Sequence, residues 1–223
     1  MTTAREVKKL VSPLLAKNDD LVLIGRAIVF RPVKHVLRGV YIDRTSSADL
    51  FYVALSIISL FFRQDDFTMK RGGAIYPPHK KLWLLSDPGV SETLCQQIED
   101  VALPRLRALG SDLDYIRSLQ EEDPYTLNRA AATYALYRIA EGNLDAARDL
   151  IATSEFASYV WLPHLKRLGL DEKLLALGNK LSLEDRLTLA GLLHEWEAYS
   201  VEKLKLGKIW ERTPFPLESA PLL

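Results

Sequence analysis

Apolar residues at helical spacing open the chain and predict an N-terminal helix. They recur three or four positions apart, at Val7, Leu10, Val11 and Leu14. Thr3 and Glu6 stand in the Ser/Thr-x-x-Glu order of a capping box, in which each side chain satisfies a backbone N–H at the helix start. We expect Pro13 to kink or shorten this helix, which the polar stretch "KNDD" closes.

Three segments rich in β-branched and aromatic residues follow and predict strands. They cover residues 21–30, 34–44 and 50–62, and a shorter fourth strand is predicted at 81–86. The connections "RPVK" and "DRTSSAD" consist of turn-forming residues and are short, which favours an antiparallel meander. The segment 50–62 has no charge but is shorter than the about 20 residues of a membrane-spanning helix. We interpret it as a strand that is buried on both faces.

From residue 87 onward the pattern is helical. Asp87-Pro88 predicts a helix start, and Pro104 is expected to bend or end that helix. Three further starts are predicted by capping pairs: Ser111 with Asp114, Asp123 with Pro124, and Ser182 with Asp185. Gly142-Asn143 separates two predicted helices, "TLNRAAATYALYRIA" and "LDAARDLIAT".

One apolar stripe marks the last long helix, with members at Leu189, Leu193, Trp196 and Ser200. This helix is predicted to continue to about Trp210. The final segment, "RTPFPLESAPLL", is proline-rich without periodicity and is interpreted as an extended tail.

The order of these elements defines an α+β fold with segregated layers. An N-terminal helix and an antiparallel meander of three to four strands precede an all-helical C-terminal half. The predicted division is an α+β subdomain at 1–110 and a helical subdomain at 111–223 that packs against it.

The distribution of charge along the chain adds one prediction to this fold. The 223 residues carry 29 Lys and Arg against 29 Asp and Glu, so no global field attracts nucleic acid or a membrane surface. Residues 1–110, however, have a net charge of +5 and residues 111–223 a net charge of −5. This asymmetry predicts either two halves that attract each other or a basic ligand surface on the first half.

Candidate chemistry is sparse, and no catalytic residue, metal or cofactor is predicted. The single cysteine, Cys95, excludes an internal disulfide and fits a cytoplasmic protein, as does the lack of a signal-like stretch in "MTTAREVKKL". "HEWEA", from His194 to Ala198, lacks the second histidine of a zinc-protease motif. Gly72-Gly73 stands outside any phosphate-loop pattern and is interpreted as a turn.

Two basic stretches are the candidate binding surfaces. The first lies along the second predicted strand and the turn before it, and its members are Arg31, Lys34, His35, Arg38 and Arg44. Because Arg38 would lie among β-branched neighbours, it requires a carboxylate or carbonyl partner. The stretch is therefore either structural, as an ion pair across strands or an edge strand blunted by charge, or functional, as a surface for an anion or an acidic partner. The second candidate is the long loop 65–81, with Lys70, Arg71, Tyr76, His79, Lys80 and Lys81.

Residues 3–110 resemble a group of uncharacterised bacterial α+β domains in which a short helix precedes a β-meander and a further helix. The resemblance lies in "REVKKLVSPLL", "RPVKHVLRGVYIDRTSS" and "FYVALSIISLFF". Some members of this group are proposed immunity partners of bacterial toxins. The resemblance implies a similar binding role and brings no catalytic residues.

These observations leave three hypotheses. The first is a cytoplasmic, non-enzymatic protein that docks an acidic protein partner through charge complementarity. The second is an enzyme or small-ligand-binding protein with a site at the sheet–helix junction, to which Arg31, His35, Tyr41 and Asp43 would contribute. The third is a homodimer that forms through the helical half.

Overall fold

The computed structural model describes residues 3–67, 73–109, 131–152 and 186–219. The chain divides into two units, and each is formed by segments that are distant in sequence. Unit 1 comprises Met1–Leu60, Gln64–Gly110 and Tyr199–Arg212. Unit 2 comprises Phe61–Arg63, Ser111–Ala198 and Thr213–Leu223. The predicted helix starts at Ser111, Asp114, Asp123, Pro124, Ser182 and Asp185 lie outside the described residues.

Helix α1, Ala4–Lys17, begins with the predicted capping box between Thr3 and Glu6. Its apolar stripe is buried, with Val7, Leu10, Val11 and Leu14 on the inner face. Pro13 lies inside the helix without ending it. Proline has no N–H for the Lys9 carbonyl four residues earlier, and the Ser12 hydroxyl donates to that carbonyl instead, at 3.1 Å.

Five antiparallel strands form one sheet in chain order. Their bounds are β1 Leu21–Ile24, β2 Ala27–Phe30, β3 Val36–Arg44, β4 Leu50–Ser59 and β5 Trp83–Leu84. The α+β class and the antiparallel meander are confirmed. The single strand predicted at 21–30 is wrong, because the chain reverses at Gly25 and Arg26 and pairs Ile24 with Ala27. Gly25 has a φ of 62°, which glycine adopts at no steric cost and which the turn requires.

The β3–β4 ladder is the longest pairing in the sheet. It runs from Val36 opposite Ser59 to Arg44 opposite Phe51. Most of β4 is buried on both faces, as predicted for the uncharged segment. The strand is shorter than the predicted 50–62, because the chain tightens into a 3₁₀ turn over Leu60–Phe62.

Helix α2, Val90–Gln97, starts later than the predicted Asp87-Pro88 cap. Asp87 instead closes a turn, in which its carbonyl accepts the Val90 N–H, and its carboxylate pairs with Lys80 at 2.8 Å. The chain continues through a π-helical segment, Ile98–Ala102, into α3, Leu103–Ala108. Pro104 does not end the helical path. It lies in the first turn of α3, where its missing N–H breaks no bond of that helix.

Helix α6, Arg186–Lys203, ends earlier than the predicted Trp210. Two hydrogen bonds close its C-terminus: Leu206 N–H donates to the Val201 carbonyl at 2.9 Å, and Lys205 N–H to the Glu202 carbonyl at 3.1 Å. This is a Schellman motif with Lys205, at a φ of 59°, in the position that glycine usually occupies. The predicted stripe of α6 is buried at Leu189, Leu193, Trp196 and Ser200.

The segment after α6 completes the core of unit 1. Val201, Leu204 and Leu206 pack with Leu37 of β3 and Ile58 of β4 in one buried cluster. The chain then forms a parallel bridge between Val33 and Trp210. Unit 1 therefore joins the sheet to residues that lie far along the chain.

Unit 2 contains α4, Ala131–Ala140, α5, Leu144–Ala152, and α7, Pro216–Ser219. Its core centres on the Phe61 ring, which meets the Tyr137 and Phe215 rings edge to face, with centroids 5.4 Å and 5.5 Å away. The predicted extended tail is wrong in this part, because Phe215 and Leu217 are buried and α7 is helical. Within the described residues no helix is long and apolar enough to span a membrane.

Gly39 on β3 is required by the close approach of β2. A Cβ at this position would overlap the Ile28 carbonyl oxygen and would lie 3.2 Å from the Val29 Cα. Both atoms belong to the backbone of a paired strand and cannot move aside. We predict that Gly39→Ala lowers the free energy of unfolding by about 1–3 kcal/mol, the usual cost of overpacking, as measured by urea denaturation.

The matched control for this substitution is Gly207→Ala. A Cβ at Gly207 would meet no atom within 4 Å. We expect its free energy of unfolding to stay within about 0.5 kcal/mol of the parent protein. Equal stability of the two variants would contradict a steric requirement at Gly39.

Candidate functional site

Arg38, the central cation of the first predicted surface, is held by the main chain of α3. Its Nη1 donates to the Leu106 carbonyl at 3.3 Å and also to the Leu109 carbonyl. The guanidinium carbon lies 5.7 Å from the centroid of the Phe30 ring. A cation at the C-terminus of a helix satisfies carbonyls that have no partner inside the helix and complements the helix dipole. Arg38 therefore joins the sheet to α3.

Tyr41 and Asp43 form a network with Arg26 of the β1–β2 turn. Arg26 donates to the Tyr41 hydroxyl at 2.7 Å and to Asp43 Oδ1 at 3.1 Å. Its guanidinium carbon lies 5.2 Å from the Tyr41 ring centroid. Burial raises the pKa of Tyr41, and the Arg26 charge opposes that shift. Tyr41 is therefore a neutral hydrogen-bonding group at physiological pH.

The structure does not bring the cations of the first predicted surface together. His35 is buried, and its carbonyl accepts the Leu60 N–H at 2.8 Å. Arg31 is exposed, donates to the Asp19 carbonyl at 2.9 Å, and borders a shallow depression beside Trp210. Lys34 is exposed. Arg44 is also exposed and lies with Tyr41 at a different cavity.

The described part of the loop 65–81 contributes to a groove of about 650 Å³, which we call the aromatic groove. Its exposed members are Tyr52, Ala74, Tyr76, Lys80, Lys81 and Leu82. Tyr52, Tyr76 and Leu82 are 44%, 59% and 44% exposed, which is unusual for large apolar side chains that lie together. His79 is exposed nearby in the same loop, and Lys70 and Arg71 lie outside the described residues.

Backbone pairing along β4 positions this groove. Leu55 N–H donates to the Gly73 carbonyl at 3.0 Å, and Ile75 N–H donates to the Val53 carbonyl at 2.8 Å. The Trp83 indole N–H donates to the Ile75 carbonyl at 2.8 Å and closes the base of the groove. The loop is therefore fastened to the edge of the sheet on both sides of Tyr76.

Sequence reasoning missed Tyr52 and Leu82. Both lie in apolar stretches in which no polar alternation marks an exposed position. The only sequence signal was the long loop itself, which brought Tyr76 into the candidate list.

A second cavity, of about 710 Å³, lies at the C-terminal end of β3, and we call it the charged cavity. The β1–β2 turn contributes Arg26, β3 contributes Tyr41 and Arg44, and the segment after α6 contributes Lys205. Residues 65–67 add Asp65, Asp66 and Phe67 to the lining. The Tyr41 and Phe67 rings stack with centroids 6.0 Å apart and an interplanar angle of 10°.

Two further findings bear on the chemistry of these surfaces. Within the described residues, no group of three His, Cys, Asp or Glu side chains is arranged to hold a metal ion. The chain matches no protein-family model, no curated protein and no solved structure. A function for the chain is therefore inferred from the physical chemistry of the two surfaces.

The contact between Arg38 and α3 predicts a structural phenotype. Arg38→Met keeps the length of the side chain but removes its hydrogen bonds to the carbonyls of Leu106 and Leu109. We expect the free energy of unfolding in urea to fall by about 1.5–3 kcal/mol, the range for hydrogen bonds that involve a charged group.

Lys34→Met is the matched control, because Lys34 is an exposed cation near Arg38 in sequence. We expect it to change stability by less than about 0.5 kcal/mol. If the two variants were equally stable, Arg38 would not anchor α3.

Cys95 is a buried thiol, and we predict that it reacts slowly with disulfide reagents in the folded protein. Its Sγ lies 3.4 Å from the Leu10 carbonyl oxygen, and burial raises the pKa of the thiol. A raised pKa lowers the thiolate fraction at any given pH. At pH 8 we expect a disulfide reagent to modify Cys95 in the folded protein on the order of a hundredfold more slowly than in the urea-unfolded chain. The reason is that the reagent reaches the buried thiol only when the structure opens locally. Equal rates would show that Cys95 is accessible.

Proposed function

We propose that the protein is a non-enzymatic binding protein that docks an acidic segment of a protein partner in the aromatic groove. The observation that carries this proposal is the cluster of exposed Tyr52, Tyr76 and Leu82 beside two lysines. Large apolar side chains exposed together in a soluble domain are typical of interaction sites. Tyrosine is also enriched among the residues that dominate binding energies.

The charges at the groove define the partner. Lys80 is paired with Asp87 at 2.8 Å, whereas Lys81 forms no ion pair within the part of the chain that the structure describes. An acidic side chain next to an apolar anchor would meet Lys81 while the anchor packs on Tyr76. The net charge of +5 on residues 1–110 would steer such a segment toward this half of the chain.

The resemblance of residues 3–110 to immunity-like bacterial domains extends the proposal to a class of partner. A bacterial toxin that presents an acidic and apolar segment in the cytoplasm would fit the groove. Docking of such a segment in the aromatic groove requires no catalytic side chain, which agrees with a protein that acts by binding its partner.

The test is a selection from a phage-displayed library of random peptides against the full chain. We expect the enriched peptides to carry Asp or Glu next to an apolar residue. Tyr76→Ala should weaken the best peptide by at least about tenfold, as removal of a central aromatic contact does. Lys81→Glu should weaken binding more at low salt than at high salt, because the lost attraction is screened by ions.

Two control variants separate the groove from the rest of the surface. Leu187→Ala removes an apolar side chain that is 79% exposed and lies outside the groove. Lys34→Glu reverses a charge on the other predicted surface. Peptides that bind Tyr76→Ala as tightly as the parent, or that lose binding to Lys34→Glu instead, would contradict the proposal. If the parent protein sedimented as a dimer and Tyr76→Ala as a monomer, the groove would instead bind a second copy of the chain.

A further inference from the structure

The charged cavity lies wholly within unit 1 and is separate from the aromatic groove. Its walls come from the start of α1, the β1–β2 turn with the end of β1, the end of β3, residues 65–67, and the end of α6 with the Schellman turn that follows. Its volume of about 710 Å³ falls within the range of small-molecule sites. The cavity is therefore large enough for a metabolite.

Three cations of the cavity have no carboxylate partner among the described residues. Arg44, Lys203 and Lys205 form no ion pair with any residue that the structure describes. Lys203 lies over the Tyr199 ring, with Nζ 5.2 Å from its centroid. Arg26 differs, because its charge is matched by Asp43 at 3.1 Å. The lining thus carries four cations, Arg26, Arg44, Lys203 and Lys205, against two carboxylates, Asp65 and Asp66, and such an excess of positive charge favours a polyanionic group.

The acidic residues of the lining restrict the ligand further. The Tyr199 hydroxyl donates to Asp65 at 2.6 Å, which holds this carboxylate in place. Asp66 lines the cavity beside it and forms no ion pair among the described residues. A carboxylate can accept hydrogen bonds from ligand hydroxyl or amino groups. The ligand should therefore carry such groups as well as its anionic end.

An apolar and aromatic wall completes the site. The stacked Tyr41 and Phe67 rings border the cavity together with Ile24 and Leu204. Ring surfaces of this kind pack against planar heterocycles. The Tyr41 ring is fixed by its hydrogen bond from Arg26, so this wall is already formed without a ligand.

We infer that the charged cavity binds a nucleoside phosphate. The phosphate group would meet Arg44, Lys203 and Lys205, the sugar hydroxyls would meet Asp66, and the base would pack against the Phe67 ring, which Tyr41 supports from behind. This binding site is independent of the proposed docking of a protein partner, because none of its residues belongs to the aromatic groove.

Isothermal titration of the full chain with ADP tests the inference. We expect saturable binding of ADP, at least tenfold weaker binding of adenosine, and at least tenfold weaker binding of inorganic phosphate. Arg44→Gln and Lys203→Gln should each weaken ADP binding by about tenfold, the effect of losing one charge-assisted contact. Phe67→Leu should weaken ADP binding but leave the affinity for inorganic phosphate unchanged.

The matched control is Lys34→Gln, which removes an exposed cation outside the cavity and should leave ADP binding unchanged. Circular dichroism and thermal melting of each variant confirm that the fold is retained. No binding of ADP at millimolar concentration, or equal affinity for ADP and adenosine, would overturn the inference. Unchanged binding by Arg44→Gln would do the same. Peptide binding at the aromatic groove should be the same for Arg44→Gln and the parent, so the two proposals can fail separately.

Discussion

The antiparallel pairing of β3 with β4 is the constraint on which the rest of unit 1 depends. Nine residue pairs join the two strands, and nearly all of β4 is buried. This ladder constrains the segments that lie on both sides of it. On one side, β2 must approach β3 closely, which only Gly39 permits. On the other side, β4 still needs partners for its outer backbone groups, and residues 73–75 and β5 supply them. Both candidate surfaces follow from this arrangement, since the aromatic groove lies on the outer flank and the charged cavity lies at one end of β3.

The fold was predictable wherever one local signal determined an element. The capping box at Thr3 and the apolar stripe of α6 are signals of this kind, and both were interpreted correctly. Errors arose where two signals competed. In residues 21–30 the β-branched residues outweighed the single Gly25, which is where the chain reverses. The end of α6 was missed because Lys205 takes a conformation that sequence rules reserve for glycine.

The candidate surfaces were less predictable, for a physical reason that differs between them. Arg38 needed a partner, and the requirement could be stated from the sequence. Its partner is the backbone of α3, however, and a backbone carbonyl cannot be recognised from the positions of charged residues in the sequence. The charged cavity collects Arg44 and Lys203 from segments that are far apart along the chain. No local spacing brings such residues together, so only the tertiary structure reveals that they share a cavity.

The discontinuity of unit 1 has a consequence for biosynthesis. Ser200 donates to the Leu60 carbonyl across a sequence separation of 140 residues, and Val201, Leu204 and Leu206 cover Leu37 and Ile58 of the sheet. At the roughly 5–20 residues per second of translation, a ribosome needs about 7–28 s to make the intervening chain. A sheet that formed during that interval would lack this cover, and its apolar face would be open to the surroundings of the nascent polypeptide. The protein is thus expected to need a chaperone on the ribosome more than its modest size implies, and release before residue 206 would leave a product prone to aggregate.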